Sequence, residues 1–218
     1  MSTRLSIDVV SDVVCPWCYV GKKRLELALA MVPEIQADIH WRPFQLDPTI
    51  PQEGIPRRAY MEKKFGSLDK IAPIHERLTE MGQDLGIPFH FSAIEISPNT
   101  LDAHRLIRWA FGERQDGMVE TLFRAFFVEG LNLADRNILA KLAAQCGFNA
   151  DDIKAALDSD EDRDAVIGEI AAAQDLGIQG VPFFIFGQRY AVSGAETPEH
   201  LASAIRQTIA DGDQAASG

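Results

Sequence analysis

SDVVCPWCYVGKKRLELAL, residues 11–29, sets two cysteines around a proline and a tryptophan where a strand pattern gives way to a helical one. Upstream, Leu5, Ile7 and Val9 alternate with Ser6 and Asp8, the period of a strand, and Val10 extends it. Downstream, Leu25, Ala28, Leu29 and Val32 recur at helical spacing, which predicts a helix to about Val32, stopping before Pro33. Ala37, Ile39 and Trp41 then alternate and end at Pro43. Strand, helix and strand in such close succession read as a βαβ unit with parallel strands and a right-handed crossover.

The other end of the chain gives a hairpin. Phe183-Phe184-Ile185-Phe186 is an unbroken apolar run, followed by Gly187-Gln188 and by Tyr190-Ala191-Val192. Thr197 can cap a final helix with Pro198 at its first position, continuing to about Ala210. The small, polar segment 211–218 is expected to be a disordered tail. Between these ends nearly everything follows the helical period. Val119, Leu122, Phe123, Phe126 and Phe127 form one stripe closed by Gly130. Ile138, Leu139, Leu142, Ala143 and Cys146 form another, opened by Asp135 and closed by Gly147. Further helices are expected near 57–65, 68–85, 99–112, 150–157 and 162–176.

Composition narrows the function. The 218 residues carry 32 acidic and 21 basic side chains, a formal charge of −11. That argues against nucleic acid as a partner, because phosphate binding needs clustered lysine and arginine. The one dense basic run, Lys22-Lys23-Arg24, reads as the solvated face of a helix. No stretch approaches the roughly 20 apolar residues of a membrane span, and no leader pattern precedes the first strand. Three cysteines do not make a disulfide scaffold. A cytoplasmic protein is expected, without a membrane partner; monomer and homodimer both stay open.

Cys15 falls at the start of the first helix, and Pro16 sits where proline is tolerated. Unpaired N–H groups and a positive partial charge at a helix N-terminus favour a thiolate over a thiol there. Cys18 lies one turn on, on the same face. Such a pair suits thiol–disulfide exchange: Cys15 attacks a substrate disulfide and Cys18 resolves the mixed disulfide. The rival is zinc, which needs four ligands, usually as two close pairs. Cys146 stands alone and the histidines are scattered, so no metal and no bound cofactor are expected. Trp17, locked between the cysteines, is expected to be an exposed apolar platform for substrate.

Residues 177–186, GIQGVPFFIF, place Pro182 directly before the buried strand. A cis Val181–Pro182 bond would present the Val181 backbone to a substrate strand; a trans proline merely opening the strand is the alternative. His104 and Arg108 share a helix face and offer either a polar edge on a substrate cleft or a structural pair. Cys146, on an apolar stripe, reads as a small buried hydrophobe. Asp8 and Asp12 precede the motif, and a carboxylate near Cys18 would assist its deprotonation.

Taken together, CPWCYVGKKRLE, PNTLDAHRLIRWA and GVPFFIFGQRYAVSGAE resemble, in order, the DsbA family of thioredoxin-fold proteins, and most of all its FrnE-like branch. The resemblance implies an α/β thioredoxin fold, βαβ…ββα, interrupted by a large inserted subdomain that is expected to be all-helical. The thioredoxin part would comprise 1–51 and 178–210, and the insertion 52–177. It implies Cys15 as nucleophile, Cys18 as resolving cysteine and Val181-Pro182 as the substrate-contacting loop. From the residues themselves, Pro16, Trp17 and His104 are the further candidates for contact with substrate. The substrate would be a disulfide-containing protein or a small thiol. Pro16-Trp17 lacks the histidine of the strongly oxidising members, so reduction or isomerisation is expected over net oxidation. The chain also resembles glutathione-dependent 2-hydroxychromene-2-carboxylate isomerases and kappa-class glutathione transferases. In these a Ser/Gln-Asp pair after a glycine holds the γ-glutamyl group. Gly194-Ala195-Glu196 stands there instead, so glutathione remains a candidate co-substrate with one polar contact fewer.

Overall fold

The computed structural model describes residues 3–216. Strand β1 (Thr3–Ser11), helix α1 (Pro16–Ala30) and strand β2 (Ile35–Pro43) form the expected βαβ unit. The strands are parallel, with Ile7 opposite Ile39 and Val9 opposite Trp41. The chain then runs through β3 (Ile55–Pro56), α2 (Arg57–Phe65), α3 (Ala72–Leu85) and β4 (Ile96–Ser97). Five helices follow: α4 (Leu101–Trp109), α5 (Gln115–Phe127), α6 (Arg136–Gln145), α7 (Ala150–Asp158) and α8 (Arg163–Asp175). A hairpin, β5 (Phe183–Phe186) and β6 (Tyr190–Ser193), leads into α9 (Pro198–Ala216).

The sheet order is β2-β1-β5-β6, so β1 pairs parallel with β2 on one side and antiparallel with β5 on the other. α1 packs against α9 and α3. The inserted helices share a core with the sheet. Tyr19 of α1 stacks on Phe123 of α5 at 5.0 Å between ring centroids, and the α5 stripe is almost fully buried. Asp135 caps α6 through its side chain, as its position before the apolar stripe implies.

Four expectations need correction. The insertion is not all-helical: β3 and β4 form a short antiparallel ladder, Ile55 opposite Ser97, too short to leave an alternating pattern. The helix expected over 68–85 divides into a 3-10 turn at Leu68–Lys70 and α3, because Pro73 has no N–H with which to continue one ladder across the junction. Lys22 is not on a solvated face. It is buried, and its ammonium meets Asp116 at 2.9 Å and Glu120 at 3.3 Å, besides Glu26. The expected disordered tail is helical as far as Ala216, anchored where Tyr190 donates a hydrogen bond to Asp211; residues 217–218 lie outside the described residues.

Candidate active site

Cys15 is the N-cap of α1, in an extended conformation, with Pro16 as the first helical residue. The turn that delivers it is tied by backbone bonds: Cys15 N–H donates to the Asp12 carbonyl and Cys18 N–H to the Cys15 carbonyl, both at 3.0 Å. Register brings the second half of the site. Val10, near the end of β1, lies opposite Phe183, the first residue of β5. The loop ending in Pro182 therefore arrives beside Cys15, whose thiol donates to the Val181 carbonyl at 3.5 Å. The Val181–Pro182 bond is cis. α1 comes so close to this loop that a Cβ on Gly21 would stand 2.9 Å from Pro182 Cγ.

Both cysteines of the motif are free thiols and both are buried. Burial pushes the Cys18 thiol well above its ordinary value, and its contact with Cys15 pushes it the same way, against the opposing pull of the Ser11 hydroxyl and the Asp12 backbone. Cys18 is thus held protonated behind Cys15. In front of Cys15 opens a cavity of about 320 Å³, bordered by Pro16, Trp17, Val181 and residues of α2 and α3. Trp17 is half-buried, with the Arg77 guanidinium 5.9 Å from its ring. It is a wall of this cavity rather than the open platform expected.

Asp12 turns inward. Its Oδ2 accepts from the Leu46 N–H at 2.8 Å, fixing the segment after β2, while Oδ1 has no hydrogen-bond partner. Asp8 points elsewhere and pairs with Arg42 at 2.7 Å. His104 is corrected: it is buried, its Nε2–H donates to the Phe44 carbonyl at 2.8 Å, and it does not border the cysteine cavity. With Arg108 it borders a separate cavity of about 390 Å³ that shares no lining residue with the first. The Gly194 N–H donates to the Pro182 carbonyl at 2.8 Å, Arg24 binds the Ala195 carbonyl, and Glu196 is exposed. None of these three lines the cysteine cavity.

Several lining residues went unread in the sequence, among them Arg57, Met61, Ile74 and His75. One signal was present. Arg57 and Arg58 open α2 with basic charge in the first turn and no capping side chain, against the helix dipole. Such an arrangement asks for a compensating anion.

Residues 6–206 match the model of the DSBA-like thioredoxin domain. The chain belongs to that family. The DSBA-like chain is 30% identical over 183 residues to the uncharacterised protein YwbO of Bacillus subtilis, covering 83% of this chain and 86% of that one. A solved probable DsbA oxidoreductase from Streptomyces coelicolor, SCO1869, superposes with a TM-score of 0.88 at 29% identity, covering 94% of this chain and 90% of the other. A solved 2-hydroxychromene-2-carboxylate isomerase shares the fold at 17% identity, with a TM-score of 0.73 over 96% of this chain and 98% of that one. The family is one of DsbA-like thiol oxidoreductases, and the fold expected from the sequence is the fold found.

Proposed function

We propose that this DSBA-like chain is a thiol–disulfide oxidoreductase that reduces or isomerises disulfides through Cys15 and Cys18. One observation carries the reading: a thiol on the N-cap of α1 borders an open cavity, with a second thiol, Cys18, buried one turn behind it. The Cys15 thiolate attacks one sulfur of the substrate disulfide. A mixed disulfide forms, and the other substrate half leaves as a thiolate. Cys18 then loses its proton and attacks the Cys15 sulfur, releasing the second half and closing the Cys15–Cys18 disulfide. Two equivalents of a low-molecular-weight thiol such as glutathione restore the dithiol.

Pro16 and Trp17 supply one wall for substrate, and Gly180 and Val181, just before Pro182, the other. A reducing cytoplasm is the setting in which this direction of electron flow is maintained. The glutathione-dependent isomerase reading draws no support from Gly194, Ala195 and Glu196, which lie outside the cavity, and that chemistry has no need of two protein thiols.

The test is turnover of a model disulfide with glutathione as donor. Cys15→Ser is expected to abolish it, and Cys18→Ser to accumulate the mixed disulfide on Cys15. Full turnover by Cys15→Ser would overturn the assignment.

A further inference from the structure

The cavity in front of Cys15 contains a cation that the protein does not answer. Arg57, first residue of α2, donates its backbone N–H to the Glu95 carbonyl, and its guanidinium lies 5.8 Å from the Phe126 ring. Three other inward-turned cations are paired: Lys22 with Asp116 at 2.9 Å, Arg105 with Asp102 at 2.8 Å and Arg136 with Asp102 at 2.8 Å; Arg24, without a carboxylate, has the Ala195 carbonyl instead. Among the described residues no carboxylate comes within 4.0 Å of Arg57. Burial lowers its guanidinium to about 10, with only the Tyr60 phenol acting the other way, so it keeps its charge at neutral pH. Lys64, at the same cavity, has Asp47 beside it. His75, stacked on Phe91 at 4.1 Å, is lowered by burial and by Arg57 itself, and is neutral there.

Much of the remaining wall is apolar, including Ile50, Met61, Ile74, Leu78 and Phe126, while Asp12, Tyr60, Ser97 and Thr100 add polar atoms to it. An unpaired, partly desolvated cation inside an apolar cavity is costly unless a ligand anion meets it. About 320 Å³ lies at the small end of ligand cavities, enough for a compact molecule.

We propose that the cavity selects small disulfides with an apolar body and a carboxylate, the carboxylate docking on Arg57 while a sulfur meets Cys15. This deepens the redox reading and rests on it. The Cys15 thiolate bonds to the near sulfur, the substrate S–S bond breaks, and the far half departs as a thiolate. Cys18 completes the two-electron reduction as above, and two low-molecular-weight thiols restore the pair.

The experiment uses reduced full-length protein carrying Cys146→Ala, so that only the motif reports. Two aryl disulfides are compared by stopped flow: dithiobis(nitrobenzoate), which carries carboxylates, and neutral dithiodipyridine. Arg57→Gln is expected to slow the anionic probe roughly ten- to hundredfold, the range of a charge-assisted hydrogen bond, and to leave the neutral probe unchanged. Arg57→Lys is expected to recover part of the loss. Calorimetry with unreactive naphthoate should show binding that Arg57→Gln removes, whether or not the cysteines are present. Equal slowing of both probes, or an anionic rate indifferent to Arg57, overturns the proposal while leaving the redox reading intact. A wild-type protein that reacts with neither probe yet binds naphthoate through Arg57 overturns the redox reading instead.

Discussion

The Asp12 carboxylate and the His104 ring face each other at 3.5 Å, with only 1% and 3% of the two residues exposed. A carbonyl oxygen accepts only, so the short contact with Phe44 places a proton on His104 Nε2. Asp12 in turn holds the Leu46 N–H. The pair therefore joins the turn before Cys15 to the segment after β2 and to α4, and its role is to position them.

His104→Leu leaves the Phe44 carbonyl and the Asp12 carboxylate without this neighbour. The expected cost is about 1–3 kcal/mol of stability, read from urea denaturation. Cys15 alkylation in the folded variant should proceed at the wild-type rate. A large drop in that rate at unchanged stability would instead make His104 part of the thiol chemistry.

Gly21→Ala tests the close approach of α1 and the proline loop. Helix propensity alone favours alanine by about 1 kcal/mol. The new Cβ, however, would meet Pro182 Cγ at 2.9 Å and Phe184 Cζ at 3.1 Å. Overpacking of this kind costs about 1–3 kcal/mol, so a net loss of stability and a slower reaction of Cys15 with disulfides are expected. Unchanged stability and rate would mean that the loop yields freely.

Arg105 is fully buried and binds Asp102 and the carbonyls of Ala156, Leu157, Ser159 and Glu161. It closes the C-terminal end of α7, where carbonyls lack helical partners. Lysine keeps the charge but not the planar fork. Arg105→Lys is expected to cost about 1–3 kcal/mol, from buried carbonyls left without a donor, measured as a fall in the denaturation midpoint.

The Cys18 thiol, raised by burial and by Cys15, sets an alkaline limit. A thiol kept protonated in the fold gives stability that is fully present below its ordinary value of 9.0 and is lost as pH rises above it. The loss amounts to about 1.4 kcal/mol per pH unit. Reduced wild type should therefore weaken above that value faster than Cys18→Ala does. Near pH 8, iodoacetamide should modify Cys15 and spare Cys18 until the chain unfolds.

The thioredoxin strands and most helices were legible because each follows one period and is closed by a recognisable residue. Asp135 before α6, Gly147 after it, and Thr197-Pro198 before α9 are examples. The juxtaposition of Cys15 with the Val181-Pro182 loop follows from the two strand patterns as well, since register brings β1 and β5 together at one end of the sheet. What escaped depends on direction rather than periodicity. Nothing in the sequence says that Lys22 turns inward, or that His104 turns away from the cysteines toward Phe44. Arg57 escaped for the same reason, although the unfavourable charge at the start of α2 marks it.

The contact between Cys15 and Val181 spans 166 positions along the chain. At roughly 5–20 residues per second, a ribosome needs on the order of ten seconds or more to travel that distance. Throughout that interval the dithiol has emerged and its proline loop has not. The nascent chain thus carries two unsheltered thiols before it carries a finished catalyst, and any chaperone or oxidant in the neighbourhood meets them first.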